Sequence, residues 1–352
     1  MRKRVILFLF PLLLLGAGAF GQVIDKPAAT VNLYTPVYIS VSQLDQRVAQ
    51  IDAIRQQNGL PIPPNTKMQV LDEMISETLI TQAAEKANIT VSQSELDNTI
   101  AKQKQTVEAQ IGPVDTAQYH RVIEQQTGLT WSNYLKQLKT QLIEQKYIMQ
   151  EKGSLINNIP TPSEQQIQNR YAQIATSLTN PEIIRFSQIF IDTRNLTPPE
   201  KLKAKELADS IYRKYQNGQA TFSQLVQQYT QDQHSRYSGG DFGYLARDDT
   251  RAQQILGQRF MDEIFSMKVG QVSGVLESRI GYHIVKITEH YPPKLLTLND
   301  PISPANPMTV REYIRQSIEQ QEKTQAFDTA VKEIVAQLKQ QADIKIFTQN
   351  ID

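Results

Sequence analysis

Two short stretches of the 352-residue chain carry the residue types that could do chemistry. Ser238 to Gly243 reads SGGDFG, and two glycines ahead of an acidic residue make a sharp loop. Some forty residues later, Gly281 to Val285 reads GYHIV, with a single histidine, His283, in an otherwise apolar strand where burial would set its protonation. Asp232 lies ahead of the glycine pair and gains interest only together with His283. Taken alone, His283 could equally be a hydrogen-bonded core residue, Asp232 a turn residue, and Phe242 and Phe260 core aromatics. The spacing of Asp232, His234, His283 and His290 fits no compact metal site, and no metal or other cofactor is expected. Asp248 and Asp249 read as a solvated loop.

The elements that must position these residues follow from periodicity. Ile183 to Ile191 is strand-like, with Phe186, Gln188 and Phe190 on one face and Ser187, Ile189 and Ile191 on the other. A loop with Pro198 and Pro199 leads to a helix carrying Leu202, Leu207 and Ile211, closed by Asn217-Gly218. A second helix around Phe222, Leu225, Val226 and Tyr229 precedes the SGGDFG loop. Phe260, Ile264 and Phe265 mark another short helix and Lys268-Val269-Gly270 a turn. Gly274 to Leu276 and Tyr282 to Thr288 look like closing strands. Residues 180–291 are therefore predicted to form a compact α+β unit of about 110 residues.

These motifs occur in the order seen in parvulin-type (PpiC-type) peptidyl-prolyl isomerases, and residues 186–287 resemble a complete domain of that family. The resemblance implies a site in which Asp232 takes the family's acidic position and His283 that of its second histidine. Gln188 stands where the family has its first histidine. By the same resemblance Phe242, Phe260 and Leu256 line a proline pocket, although the stretch between Gly243 and Phe260 is longer than the family's. Bonds before proline isomerise over a barrier of about 18–20 kcal/mol. A catalyst for that step needs an apolar cradle and polar groups that favour the twisted amide, with no nucleophile, metal or cofactor. An amide at position 188 keeps donor and acceptor capacity but cannot titrate, so the hydrogen-bond network can persist in form without its tuning.

The flanking sequence is predominantly helical. Val31 to Ile39 reads as a short extended segment and Val41 to Arg55 as a first helix, followed by a loop at Pro61, Pro63 and Pro64. Val70, Leu71, Met74, Ile75, Leu79, Ile80 and Ala83 recur at three- and four-residue steps, one apolar stripe of a long helix. Ser92 to Glu95 has the capping-box spacing, Trp131 to Tyr147 marks a further helix, and Thr161-Pro162-Ser163-Glu164 predicts a cap with proline at the first helical position. Residues 292–308 read as a proline-rich linker. Thr309 to Glu312 is another capping box, opening a C-terminal segment, 309–352, whose apolar residues include Phe327, Val331, Ile334 and Leu338. That stripe is expected to fold back on a helical domain formed by residues 22–178. The fold class is thus α+β, a helical domain built from both ends with the parvulin-like unit inserted.

The first residues carry Arg2, Lys3 and Arg4, an apolar run from Val5 to Leu15 and small residues to Gly21, the layout of a secretory signal over residues 1–21. A retained anchor is the alternative, against which the run is short and broken by Pro11. Without the leader, 34 basic residues face 36 acidic ones, which leaves no basic excess for nucleic acid. Cysteine is absent, so neither disulfides nor a lipidated cysteine contribute. The arrangement resembles the SurA and PrsA group of exported foldases, with one parvulin unit. That resemblance implies a soluble periplasmic protein without a stable membrane span, whose partners are unfolded or proline-containing clients, outer-membrane or secreted proteins among them. Three readings stand: a foldase that isomerises proline bonds and holds clients, a holdase whose parvulin unit only binds peptide, and a structural protein with a vestigial insert. The stripes at Leu71 to Leu79 and at Val331 to Leu338 could line a client crevice or be spent on each other as core.

Overall fold

The computed structural model describes residues 25–351 except 58 and 65, so the leader expected over residues 1–21 lies outside the described residues. The chain divides into two units, residues 1–160 with 321–352 and residues 161–320. The first opens with strands β1 (Pro27–Asn32) and β2 (Pro36–Ser40), then helices α1 (Val41–Gln57), α2 (Thr66–Lys86), α3 (Gln93–Ile111), α4 (Thr116–Thr127) and α5 (Trp131–Asn157). Ser92 and Glu95 bond reciprocally to each other's backbone at the start of α3, which satisfies two N–H groups that the helix itself cannot.

The second unit begins with α6 (Glu164–Ile174), β3 (Thr179–Asn180), β4 (Ile183–Asp192), α7 (Pro198–Gln216) and α8 (Phe222–Tyr229). It continues through β5 (Asp241–Ala246), α9 (Thr250–Leu256), α10 (Gln258–Phe265), β6 (Leu276–Glu277), β7 (Gly281–Tyr291), β8 (Lys294–Leu295), β9 (Pro301–Ser303) and β10 (Asn306–Thr309). A four-stranded antiparallel sheet in the order β5-β4-β7-β6 is its centre. Alternation along β4 and β7 fills both sides. Ile184, Phe186, Val285 and Ile287 pack with Leu245, Leu256, Phe260 and Ile264 on one face. Ile189, Ile191, Tyr282 and Ile284 pack against Ala208, Ile211, Leu225 and Val226 on the other. Helices on both faces explain why β4 reads as a mainly apolar run, interrupted at Arg185, Ser187 and the buried Gln188.

Two local expectations change. The cap of α6 is Ser163, paired with Gln166, two residues beyond the Thr161 start; a cap needs a residue three positions on that can reach back, and Gln166 serves Ser163 in that role. Residues 292–308 do more than link: β8 pairs with β3, and β9 with β10 as a hairpin. Leu296 and Val310 are buried there with Ile167 and Ile314, and all of them fall in the second unit.

The last elements are α11 (Val310–Gln341), opened by the reciprocal Thr309–Glu312 pair, and β11 (Asp343–Ile346). Within the first unit β11 completes a three-stranded antiparallel sheet, β11-β1-β2. Ala330, Ile334 and Leu338 share one cluster with Leu71, Met74, Ile75, Leu79 and Ile148. Among the described residues the two apolar stripes thus contribute to one buried core. Truncating Ile334 to Ala should leave a void and cost about 2–5 kcal/mol. Thermal unfolding of the first unit, followed by circular dichroism, should drop by several degrees, while NMR signals of residues 183–291 stay in place.

Candidate active site

The face of the sheet that carries Phe186 and Val285 continues past them into a polar patch. Phe190 lies opposite His283 and Gln188 opposite Val285, which makes Gln188 and His283 diagonal neighbours on one face. His283 is 1% exposed and Gln188 5%. The imidazole Nδ1 stands 2.8 Å from Gln188 Oε1, and Nε2 stands 2.7 Å from Ser278 Oγ. An amide oxygen can only accept, so with this amide orientation Nδ1 carries the proton and Nε2 accepts from the Ser278 hydroxyl. Phe190 stacks on the ring at 4.8 Å and Phe260 leans against it at 4.6 Å. Burial pushes the His283 imidazole down to about 3, and the nearby Asp192 carboxylate offsets only part of that. His283 is therefore a neutral, doubly hydrogen-bonded ring.

The SGGDFG loop reaches this patch through close backbone approach. Gln188 N–H donates to Gly240 O at 2.8 Å, and Gly240 N–H donates to Ser235 O at 2.8 Å. At Gly240, φ is +79° and a Cβ would lie 2.4 Å from Gln188 O, so only glycine fits. The segment before the loop is pinned further along β4: Phe190 N–H donates to Thr230 Oγ1 at 3.1 Å, and Gln231 N–H to Phe190 O at 2.8 Å. At the other end of the site Gly281 opens β7, where an added Cβ would meet Ile191 O at 2.1 Å.

The structure brings together Gln188, His283 and Phe260, and it stacks Phe242 on Phe186 at 4.6 Å with the rings 15° apart. Phe242 is 41% exposed, whereas Phe260 and Leu256 are buried in the cluster beneath. Leu256 thus lies among core residues, and the exposed aromatic is Phe242. Asp232 follows the residue pinned to Phe190, but its carboxylate accepts from Ser235 Oγ at 2.6 Å and from His234 N–H at 3.1 Å. None of its hydrogen bonds goes to His283 or Gln188, because a carboxylate at a turn is satisfied by the donors of its own turn first. The acidic group whose charge reaches His283 is Asp192. Sequence reasoning missed Ser278, five residues before His283 across the turn into β7, where a hydroxyl beside a Gly-containing turn was the only available signal. It also missed Asp192, at the polar end of an apolar strand.

Residues 171–291 match the family described as PPIC-type PPIASE domain, and residues 3–148 match the SurA-like N-terminal domain. The buried histidine and its glycine loop thus lie in a parvulin-type domain. A SurA-like N-terminal match thus precedes one match of that parvulin type. The chain is 26% identical over 283 residues to Chaperone SurA of Sodalis glossinidius (strain morsitans), covering 78% of this chain and 59% of that one. With Chaperone SurA of Cupriavidus pinatubonensis (strain JMP 134 / LMG 1197) the identity is 28% over 275 residues, 77% of this chain and 52% of the relative. The chain spans between about half and three-fifths of the length of these curated relatives. A solved structure described under the SurA-like chaperones PEB4 and Cj1289 of Campylobacter jejuni superposes with a TM-score of 0.35 at 16% identity, covering 88% of this chain and 96% of that one.

The depressed His283 value has a consequence for stability. The folded state resists a proton that the unfolded chain accepts near 6.5, so this residue's contribution is complete above pH 6.5 and is lost as pH falls toward 3. Between those limits the unfolding free energy of the native chain should fall by up to about 1.4 kcal/mol per pH unit relative to His283→Gln. Urea unfolding of both proteins at several pH values between 4 and 8 measures the difference, and parallel curves would contradict the neutral buried ring.

Proposed function

We propose that residues 180–291 catalyse cis-trans isomerisation of bonds preceding proline in polypeptide clients, and that the chain acts as a chaperone outside the cytoplasm. The observation that carries the reading is the neutral His283 held at both nitrogens beneath a glycine-shaped loop that presents an exposed aromatic, Phe242. Loss of amide resonance on twisting removes the large dipole of the planar form, so an apolar surround with fixed, uncharged polar groups favours the twisted state over the planar one. Phe242 over Phe186 supplies an apolar surface for the pyrrolidine ring. Gln188, His283 and Ser278 form a fixed chain of dipoles behind it, and Asp232 is proposed at the rim beside them. The match to a PPIC-type PPIASE domain supports the same reaction.

The chaperone part rests on the SurA-like N-terminal match and on apolar surface in the first unit. Leu60 and Ile62, between α1 and α2, and Met68, in the first turn of α2, are each more than two-fifths exposed, as are Tyr34 and Tyr38. Such residues are where unfolded, apolar segments of exported or outer-membrane proteins would dock. Export itself is inferred from the leader pattern of residues 1–21. Among the described residues no helix is long and apolar enough to cross a membrane.

A protease-coupled assay on a proline-containing tetrapeptide should show catalysis above background. His283→Ala should reduce kcat/KM by about tenfold to a hundredfold, since a small displacement of a positioned group has effects of that order. Gln188→Ala should fall similarly, whereas Gln188→His, which restores a ring acceptor, should stay within a few-fold of the native chain. The pH profile of kcat/KM should be flat from pH 5 to 8 because His283 does not titrate there. Peptide binding without any rate above background would instead establish a non-catalytic peptide-binding unit. Separately, the chain should suppress aggregation of an unfolded outer-membrane protein, and Leu60→Ser with Ile62→Ser should weaken that suppression without changing isomerase rates.

A further inference from the structure

Phe242 occupies an unusual place in its strand. The ladder between β4 and β5 runs from Ile183 opposite Ala246 to Phe186 opposite Gly243, then jumps to Ser187 opposite Asp241. Phe242 is the extra residue of a β-bulge, left out of the ladder, and bulges are devices that re-aim a side chain. Phe242 is 41% exposed, so burial and its stacking on Phe186 hold it only in part. What fixes the bulge is its neighbour. Asp241 Oδ1 accepts from Gly243 N–H at 3.0 Å, closing the turn around Phe242, and the same carboxylate is gripped by Arg185 of β4 through Nε at 3.2 Å and Nη2 at 2.5 Å.

Arg185 is itself immobilised. Its third nitrogen, Nη1, donates to Glu289 of β7 at 3.1 Å, and its guanidinium lies 5.2 Å from the centre of the Tyr244 ring. Tyr244 and Tyr291 donate to the other oxygen of Glu289 at 2.9 and 2.6 Å. One planar fork therefore ties three strands together, a task that a point charge on a flexible stem does poorly. An exposed pair contributes little to stability alone, so a role in geometry is the better account of so complete a set of partners.

We propose that Arg185 is a positioning residue for the isomerase site: by clamping Asp241 it fixes the bulge that sets the Phe242 ring over Phe186, where the proline ring of the client docks. The assignment rests on the isomerase reading of the site. It makes client affinity, rather than the rotation step, the quantity that Arg185 controls.

The test uses the full chain and its Arg185→Met, Arg185→Lys and Asp241→Asn variants. Affinity for a proline tetrapeptide is measured by fluorescence anisotropy and turnover at saturation by NMR exchange spectroscopy. Arg185→Met and Asp241→Asn should each weaken affinity about tenfold, the order expected when one aromatic contact is lost, with saturated turnover within about threefold of native. Arg185→Lys should recover part of the affinity. Unchanged affinity with only a lower melting temperature would overturn the proposal, as would a loss confined to turnover. If the native chain binds the peptide without isomerising it, the isomerase reading fails and the affinity comparison still decides the role of Arg185. If it does neither, the ring-proton shifts of Phe242 decide. Movement toward unstacked values in both Arg185→Met and Asp241→Asn supports the clamp, and shifts identical to native overturn it.

Discussion

The second unit is organised around a histidine that water does not reach. An imidazole closed off by Phe190 and Phe260 must satisfy both nitrogens from within the protein, and leaving either one bare would cost about 1–3 kcal/mol. Gln188 and Ser278 meet that demand from two directions, a neighbouring strand and the turn into β7. Each of those residues is in turn placed by backbone constraints: β4 pairs along ten residues with β7, and the chain turns sharply enough at Gly281 for β7 to start against Ile191. The sheet thus determines the site more than the loops do. Sites carried on strands keep their geometry because the ladder fixes each side chain's direction and spacing.

The SGGDFG loop is joined to that sheet at two points of different character. Gly240 meets Gln188 by shape, since no side chain can stand between them, while Asp241 meets Arg185 by charge and hydrogen bonding. Arg185 also holds the Asp241 carboxyl below the usual carboxylate range, so the clamp keeps its charge through neutral and mildly acidic pH. Phe242 follows the two anchors directly, and its direction is the product of both. A shape constraint fixes where the loop passes; a directional ion pair fixes how it is turned.

Much of this was legible in the order of residues. The alternation along β4, the glycine pair and the lone histidine in an apolar strand give the sheet, the loop and the buried ring, because each depends on local rules of periodicity and backbone freedom. Ser163 as the cap of α6 escaped because Thr161 and Pro162 offered a competing start two residues earlier. The hairpin in residues 292–308 escaped because prolines there read as punctuation, although Pro301 and Pro307 sit in short strands that need few ladder donors. Asp232 is the instructive residue. The parvulin resemblance set it with His283, but the hydrogen bonds of a turn are settled by neighbours two and three residues away, here His234 and Ser235. Ser278 and Arg185 act across strands through side-chain directions that only a settled register supplies.

A glutamine at position 188, where the parvulin resemblance implies a histidine, is chemically milder than the difference in residue type implies. A histidine partner would matter most if a proton had to be shared or moved, which requires at least one ring to approach its titration point at working pH. His283 is far from that point, since burial holds it neutral with a value of about 3. What the ring then asks of its neighbour is one acceptor for Nδ1–H in a fixed position, and the amide oxygen 2.8 Å away provides it. Rotation about a proline bond transfers no proton and forms no covalent bond, so its demands are met by position and by a dry, weakly polar surround. Under the proposed isomerase reading, a glutamine fixed in the strand can stand in for a histidine, provided that the glycine loop and its clamp keep the Phe242 ring over Phe186.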